Sequence, residues 1–102
     1  MAPTTDNLPR LDECRRRIDA VDKVVVALLA ERARLALEAG SLKQALALPL
    51  SAPAREAMVL ARVAAQAPAP LPPDAVARIY RHILDETLAL ERGMLETGHD
   101  RD

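Results

Sequence analysis

The sequence is almost without aromatic residues: Tyr80 is the only one among 102 residues, and neither Phe nor Trp occurs. Half of the residues are nevertheless hydrophobic, so a core has to be built from Ala, Leu, Val and Ile. Small aliphatic side chains of this kind suit helices that pack closely together. A chain of this length provides one domain that buries only a modest share of its surface. We therefore expect a helical domain that needs a second copy of itself to complete its core.

The chain also lacks a dominant sign of charge, any long apolar run and any pair of cysteines. The formal net charge is −1, and no arginine-rich run with interleaved aromatics is present, so we expect no binding to nucleic acid. No run is apolar enough to span a membrane, and the start MAPTTDN lacks the features of a secretory signal. Cys14 cannot form an intrachain disulfide, which fits a reducing compartment. We expect a cytoplasmic protein without a membrane partner.

Apolar residues separated by three and four positions predict one long first helix. They form a seam of roughly four heptads, which is typical of a helix that packs along another helix. We predict this helix from about residue 10 to about residue 42, with residues 1–9 as a flexible N-terminal tail. Gly40 is unfavourable inside a helix and predicts fraying near its end. The seam consists of Leu11, Cys14, Ile18, Val21, Val25, Leu28, Arg32, Leu35, Ala39 and Leu42.

A second, shorter helix is predicted after a loop that contains Pro49. Ser51 is its candidate N-cap, and Pro53 is tolerated in its first turn. The helix is expected to end near Gln66. Its apolar line runs through Val59, Leu60 and Val63.

A third helix is predicted from about residue 74 to about residue 95. The proline-rich segment Ala67 to Asp74 precedes it and cannot be helical throughout. The sequence thus predicts an all-α fold, with three helices in a domain over residues 10–96 and a C-terminal tail over residues 97–102. The apolar stripe of the third helix is Val76, Ile79, Tyr80, Ile83, Leu84, Leu88 and then Met94 or Leu95.

Several polar residues interrupt these apolar stripes. Arg32 occupies a seam position of the first helix, and Arg15 flanks the seam beside Cys14. Burying an unpaired charge costs roughly several kcal/mol, so a buried Arg32 needs an anion as its partner. One interpretation pairs Arg32 with a protein carboxylate inside a helical bundle, and the other gives it an anionic ligand. The remaining polar residues at such positions are Glu56 on the second helix, Thr87 and Glu91 on the third, and Lys43 just past the first.

Other reactive residue types carry no recognisable chemistry. His82 and His99 have no cysteine or carboxylate at ligand spacing, so we predict no metal. Cys14 at a seam position is expected to be a small core residue rather than a nucleophile. No Ser/His/Asp set and no glycine-rich phosphate loop is present, so no cofactor is predicted. Thr87 is expected to bond a carbonyl of its own helix. Five arginines are expected to be solvated surface charges: Arg34, Arg62, Arg78, Arg81 and Arg92.

Three segments together carry a resemblance to a known family. They are LDECRRRIDAVDKVVVALLAERARLALEAGSLK, PAREAMVL and ARIYRHILDETLALE. Their shared pattern is an early Arg, I-D-x-V-D, L-L-A-E-R, a Lys shortly after a Gly, R-E in the second helix, and a hydroxyl four residues before a polar residue in the third. In this order and spacing the chain resembles the all-α chorismate mutase family in its small single-domain form, over roughly residues 11 to 91.

The resemblance implies a three-helix protomer entwined with an identical copy, with shared active sites and no cofactor. It implies that Arg15 reaches across the dimer interface into the partner's site and that Arg32 binds a substrate carboxylate. Lys43 matches a lysine that contacts a carboxylate and the ether oxygen of the substrate. The other implied substrate contacts are Arg55, Glu56 at the ring hydroxyl, Thr87 near the ring carboxylate, and Glu91 at the ether oxygen.

The resemblance further implies that the chain is an isomerase that converts chorismate, a dianion, to prephenate. This pericyclic rearrangement proceeds in one step without a covalent intermediate. The implied catalytic residues are Lys43, Glu91 and Arg32, which would fix the reactive conformer and stabilise negative charge on the breaking ether bond. Many members have Gln where this chain has Glu91. An amide donates a hydrogen bond at any pH, whereas a glutamate donates only when protonated.

Three alternatives stay open on the sequence alone. The substrate could be 4-amino-4-deoxychorismate, in which case Glu56 would meet a cationic amine. The reaction could instead be elimination of pyruvate from isochorismate, because all three substrates need the same clamp for two carboxylates. The third alternative is a non-catalytic helical dimer. Arg32 argues against it, because a purely structural seam would favour leucine at that position.

Overall fold

Three α-helices make up the chain in a computed structural model that describes residues 4–99, with side chains from Asp6 to Leu95. They are α1 (Thr4–Ala45), α2 (Pro53–Gln66) and α3 (Pro73–His99). Within the described range no residue belongs to a strand. The prediction of an all-α, three-helix chain is confirmed. Among the described residues, no helix combines the length and the apolar character that crossing a membrane requires.

Helix α1 begins earlier than the sequence predicted. It starts at Thr4 and continues through Pro9, so residues 4–9, which were expected in the N-terminal tail, are helical. Pro9 is the sixth residue of the helix and lies beyond the first four N–H groups, which have no helical partner, so it removes one hydrogen bond from the second turn of α1. The prolines and polar residues at the start of the chain therefore led to the wrong prediction of a tail, whereas residues 4–9 are helical. Residues 1–3 of the predicted tail lie outside the described residues.

Helix α3 extends beyond the predicted end near residue 95. It runs to His99, so the first residues of the predicted C-terminal tail, 97–99, are helical. Residues 100–102 of that tail lie outside the described part of the chain. The separation of the chain into tails and one domain over residues 10–96 stays a prediction.

The end of α1 is a Schellman motif. The backbone N–H of Leu48 donates to the carbonyl of Lys43 at 2.8 Å, and the N–H of Ala47 donates to the carbonyl of Gln44 at 3.1 Å. Ala47 has φ of 59°, the left-handed conformation that this motif requires and that glycine usually provides. The motif ends the helix at Ala45, two residues after Lys43, and fixes the backbone of that lysine. Lys43 therefore lies in the last turn of α1 rather than just past the helix, where the sequence predicted it.

Helix α2 has Ala52 as its N-cap, so the prediction of Ser51 was wrong by one position. The carbonyl of Ala52 accepts the first helical bond, from the N–H of Glu56 at 2.9 Å. No side chain caps this end. Pro53 explains the boundary, because proline is favoured at the first helical position and the N-cap is then the residue immediately before it.

The buried core of the described residues lies between α2 and α3, which pack against each other. Val59 and Val63 are the buried hydrophobic side chains, as the apolar line of the second helix predicted. The facing stripe of α3 is only partly buried. The two buried hydrophobic side chains of the described residues are thus aliphatic, which is consistent with the shortage of aromatic residues.

The seam of α1 is not buried. The chain divides after Arg32 into two compact units, and every residue from 6 to 31 in the first unit is exposed. Cys14 is exposed, so the predicted role as a core residue is not met within the chain. The exposed seam residues include Leu11, Ile18, Val21, Val25 and Leu28, and farther along α1 Leu35 and Leu42. A continuous apolar line of this length has no covering surface among the described residues.

Candidate functional site

A cation from the end of α1 meets a buried carboxylate of α3. The Nζ of Lys43 lies 3.7 Å from Oε2 of Glu91, and the Glu91 side chain is only 7% exposed. Lys43 also donates a hydrogen bond from Nζ to the backbone carbonyl of Leu50 at 3.0 Å. The structure thus brings together two of the residues that the sequence predicted for the ether oxygen.

Gly40 makes this approach of α3 possible. It is buried, and a Cβ added to it would lie 3.2 Å from Cγ and 3.3 Å from Oε2 of Glu91. A methyl group at this position would force the Glu91 side chain to move by a few tenths of an ångström. The sequence predicted fraying at Gly40, and that was wrong: the helix continues to Ala45, and the glycine accommodates a carboxylate.

The Oε2 atom of Glu91 is buried and has no hydrogen-bond partner among the described residues. Leaving a buried acceptor without a partner costs about 1–3 kcal/mol, and more for a charged one. Lys43 partly offsets this cost through its charge, but 3.7 Å is too long for a hydrogen bond. Because hydrogen-bond distances are about 2.8 Å, one acceptor oxygen could contact Nζ of Lys43 and a protonated Oε2 at the same time.

A second carboxylate joins α2 to α3. The Nη2 of Arg81 donates to Oε1 of Glu56 at 2.6 Å and to Oδ1 of Asp85 at 3.2 Å. The Glu56 side chain is 23% exposed and the Arg81 side chain 43%. The hydrogen bond to Glu56 is the main reason that the pKa of Arg81 is raised above its usual value.

Arg81 is the residue that sequence reasoning missed. It was expected to be a solvated surface charge, whereas Arg34, Arg62, Arg78 and Arg92 are exposed as expected. Two signals could have found it: an inward-pointing Glu56 needs a cation, and Arg81 lies next to the partly buried Tyr80 on the stripe of α3. Glu56 pairs with Arg81, and the interpretation that gives Arg32 a protein carboxylate stays a prediction.

Thr87 is buried one turn before Glu91, and its hydroxyl bonds its own helix as predicted. Its Oγ1 lies 3.0 Å from the carbonyl oxygen of Ile83 and 3.1 Å from that of Leu84. A hydroxyl has one proton to donate. Contact with a substrate carboxylate would therefore require the Thr87 side chain to release its bond to the helix.

The three arginines predicted for the site lie on two helices. Arg55 is exposed in the first turn of α2. Arg15 is exposed on α1, and Arg32 is partly buried at the end of the first compact unit. These residues and the Lys43–Glu91 pair were predicted to form one site, and that grouping stays a prediction.

A cavity of about 280 Å³ lies beside Glu91. Of the predicted site residues, its lining includes only Glu91; the other wall residues are Leu37, Gly40, Ser41, Gln44, Met94 and Leu95. It is therefore not the predicted substrate pocket, and we assign it no ligand. No group of three or more metal-ligating side chains occurs over the described range.

The fold and these contacts define a small all-helical protein with charged side chains gathered where its helices meet. A family model described as chorismate mutase type II matches residues 14–92. The chain belongs to this family, and the resemblance drawn from the sequence is confirmed. The matched range includes every residue predicted for the site.

Similar proteins of known name agree with this assignment. The chain is 40% identical over 92 residues to a bifunctional chorismate mutase/prephenate dehydratase of Neisseria gonorrhoeae, covering 90% of the chain and 24% of that protein. It is 38% identical over 82 residues to the T-protein of Enterobacter agglomerans, covering 79% and 22%. The chain thus spans about a quarter of the length of these curated relatives.

A solved structure is similar to this chain in fold as well as in sequence. The chorismate mutase of Thermus thermophilus, in its form II, superposes with a TM-score of 0.79 at 35% identity. The match covers 81% of this chain and 94% of that one. The chain therefore shares its fold with a solved chorismate mutase structure.

The close contact between Gly40 and Glu91 predicts a measurable coupling. Alanine forms helix better than glycine by about 1 kcal/mol. Gly40→Ala should therefore stabilise a Glu91→Ala variant by about that amount in urea unfolding. It should stabilise the wild type by at least about 0.5 kcal/mol less, because the methyl group then displaces Glu91.

Gly93→Ala is the matched control, because an added Cβ at Gly93 meets nothing within 4 Å. Its gain should be the same in both backgrounds. An equal gain from Gly40→Ala in both backgrounds would mean that Gly40 is not required for the position of Glu91.

Proposed function

We propose that this chain is a chorismate mutase, an isomerase that rearranges chorismate to prephenate. The observation that carries the proposal is the family match over residues 14–92, because this range includes all of the predicted site residues. Relatives that carry the name chorismate mutase support it. The free, exposed Cys14 fits a reducing compartment, and we propose that the protein acts in the cytoplasm.

The proposed mechanism needs neither a nucleophile nor a cofactor. Chorismate carries two carboxylates, and its extended conformers must be converted to one that brings the reacting carbons together. Arg15 and Arg32 bind these carboxylates, because a guanidinium is permanently charged and binds a carboxylate through two hydrogen bonds. Binding the substrate in the reactive conformer lowers the entropic part of the activation free energy. Arg55 and Thr87 make further contacts to the substrate.

Lys43 and Glu91 act on the ether oxygen, where negative charge develops as the bond breaks. Nζ and Oε2 are 3.7 Å apart, so an oxygen to one side of the line that joins them would be within hydrogen-bond distance of both. The unpartnered Oε2 supports this role, since a proton on it would donate to the substrate. Glu56 accepts the hydrogen bond of the ring hydroxyl.

The active protein is proposed to be a homodimer. The exposed seam of α1 is an apolar surface that an identical seam covers, and this burial supplies the core that a single chain lacks. Arg15 lies on this exposed part of α1. In the proposed dimer it reaches into the site of the partner copy, so each site contains residues of both chains.

The proposal predicts turnover of chorismate by the purified protein. We would incubate it separately with chorismate, 4-amino-4-deoxychorismate and isochorismate, and identify the products by mass spectrometry. Prephenate should form from chorismate with the highest kcat/KM of the three substrates. A preference for either analogue would assign the chain another reaction on the same scaffold. Turnover of none would favour a non-catalytic helical dimer.

The shared site predicts rescue between two inactive variants. Arg15→Ala and Arg32→Ala should each retain helical content but lose about 3–5 kcal/mol of transition-state binding, as measured by kcat/KM. Mixing the two variants under subunit exchange should restore activity, because one site of each heterodimer then contains both arginines. The control is each variant mixed with itself. Heterodimers that are detected by native mass spectrometry but stay inactive would contradict a site shared in this way.

Glu91 predicts how activity depends on pH. Only a protonated carboxyl can donate to the ether oxygen, so rising pH acts against the wild type but not against a variant with an amide at this position. Ionised Glu91 would pair with Lys43 and repel the developing charge. Glu91→Gln, whose amide donates at any pH, should give a flat profile and exceed the wild type at the alkaline end.

The exposed Glu86 on the same helix provides the control. Glu86→Gln should keep the pH profile of the wild type. If Glu91→Gln and the wild type show the same profile, Glu91 is not the titrating group and the contact with the ether oxygen has to be abandoned.

A further inference from the structure

The contact between Glu56 and Arg81 differs from the other ion pairs of α3. Arg78 and Asp74 lie four residues apart on one helix and are 70% and 75% exposed, so solvent screens them. The pKa of Asp74 is lowered, mainly by the hydrogen bond that its side chain accepts from Arg78. The Glu56–Arg81 pair instead joins two helices, and its 2.6 Å distance is that of a short charge-assisted hydrogen bond.

Arg81 places a positive charge directly against Glu56, with Nη2 2.6 Å from Oε1. Its Nη2 also contacts Asp85, but that distance is longer, 3.2 Å, and the Asp85 side chain is 60% exposed. Solvent therefore screens the contact with Asp85 more than the contact with the less exposed Glu56. The group that faces a ligand at Glu56 is consequently a neutralised carboxylate rather than an isolated anion.

We propose that Arg81 is a positioning residue that determines substrate specificity: by holding and neutralising Glu56, it makes the site select a neutral hydroxyl over a cationic ammonium group. This inference rests on the proposed function, in which Glu56 contacts the substituent of the substrate ring. It concerns the choice between the hydroxyl of chorismate and the amine of 4-amino-4-deoxychorismate.

The selection follows from the different needs of the two groups. A neutral hydroxyl requires one oriented acceptor, and a carboxylate held through Oε1 still offers Oε2. An ammonium group gains most from an uncompensated anion, and here it would also be repelled by the guanidinium of Arg81. Selectivity is a difference between two affinities. Arg81 favours the hydroxyl of chorismate by keeping its acceptor Glu56 oriented, and it disfavours the ammonium group of 4-amino-4-deoxychorismate by charge repulsion.

The test compares both substrates on variants of Arg81. In Arg81→Met, which keeps the length of the side chain without its charge, kcat/KM for chorismate should fall. The value for 4-amino-4-deoxychorismate should stay the same or rise, so the ratio of the two should fall by about 10-fold or more, the size expected from one charge-assisted hydrogen bond. Arg81→Lys keeps the charge and should retain part of the wild-type ratio.

Arg78→Met and Asp85→Asn are the matched controls, and both should leave the ratio within about 2-fold of the wild type, as expected for screened surface charges. Structural damage would lower kcat/KM for both substrates by the same factor and leave their ratio unchanged. An unchanged ratio in Arg81→Met would therefore overturn the inference while leaving the proposed function intact. Wild-type protein that does not turn over chorismate would overturn the proposed function itself, and the inference with it.

Discussion

The buried carboxylate of Glu91 is the constraint on which the arrangement of α1 and α3 depends. Its Oε2 lies against Gly40, 3.7 Å from the ammonium group of Lys43, and accepts no hydrogen bond from the described residues. Removing the lysine would leave a buried charge without compensation, a change that costs about 3–5 kcal/mol in comparable pairs. The missing side chain at position 40, the abrupt end of α1 and the hydrogen bond from Lys43 to Leu50 all serve to keep that cation beside that anion.

The two inward-facing glutamates are in opposite chemical situations. Glu56 is partly exposed and accepts a short hydrogen bond from an arginine, so it is stabilised as an acceptor. Glu91 is more deeply buried, and its Oε2 lies 3.7 Å from Nζ of Lys43 without a hydrogen bond to any of the described residues. When two carboxyl groups in one protein have such different surroundings, their acid and base roles can be assigned from the surroundings. In the proposed reaction this division gives the ring hydroxyl an acceptor and the ether oxygen a donor.

Much of the fold could be predicted from the sequence, because the spacing of apolar residues along the chain indicates where helices form. The seam of α1, the Val59–Val63 line of α2 and the proline-rich connector were each evident from residue spacing. The start of α1 was not, since Pro9 is unfavourable in a helix by itself and only the structure shows the turns before it. The cap of α2 was misplaced for a related reason: Pro53 at the first helical position sets the boundary more strongly than the preference of Ser51.

The inward position of a polar side chain was predictable where it interrupted an apolar stripe, as Glu56, Thr87 and Glu91 do. Its long-range partners were not, because spacing along the chain says nothing about which helices meet. Arg81 resembled its solvated neighbours in sequence, and only the packing of α2 on α3 brings it to Glu56. Gly40 resembled a fraying end for the same reason: the side chain for which it leaves room comes from another helix, at position 91.

The hydrogen bond from Lys43 to the carbonyl of Leu50 couples a surface loop to the charged site. The same lysine also holds Leu48, because its carbonyl accepts the bond from the N–H of Leu48 that closes the Schellman motif. A ligand that draws the ammonium group away from Leu50 would release that residue and leave Leu48 in place. A change in the mobility of the segment around Leu50 would then indicate that a ligand is bound.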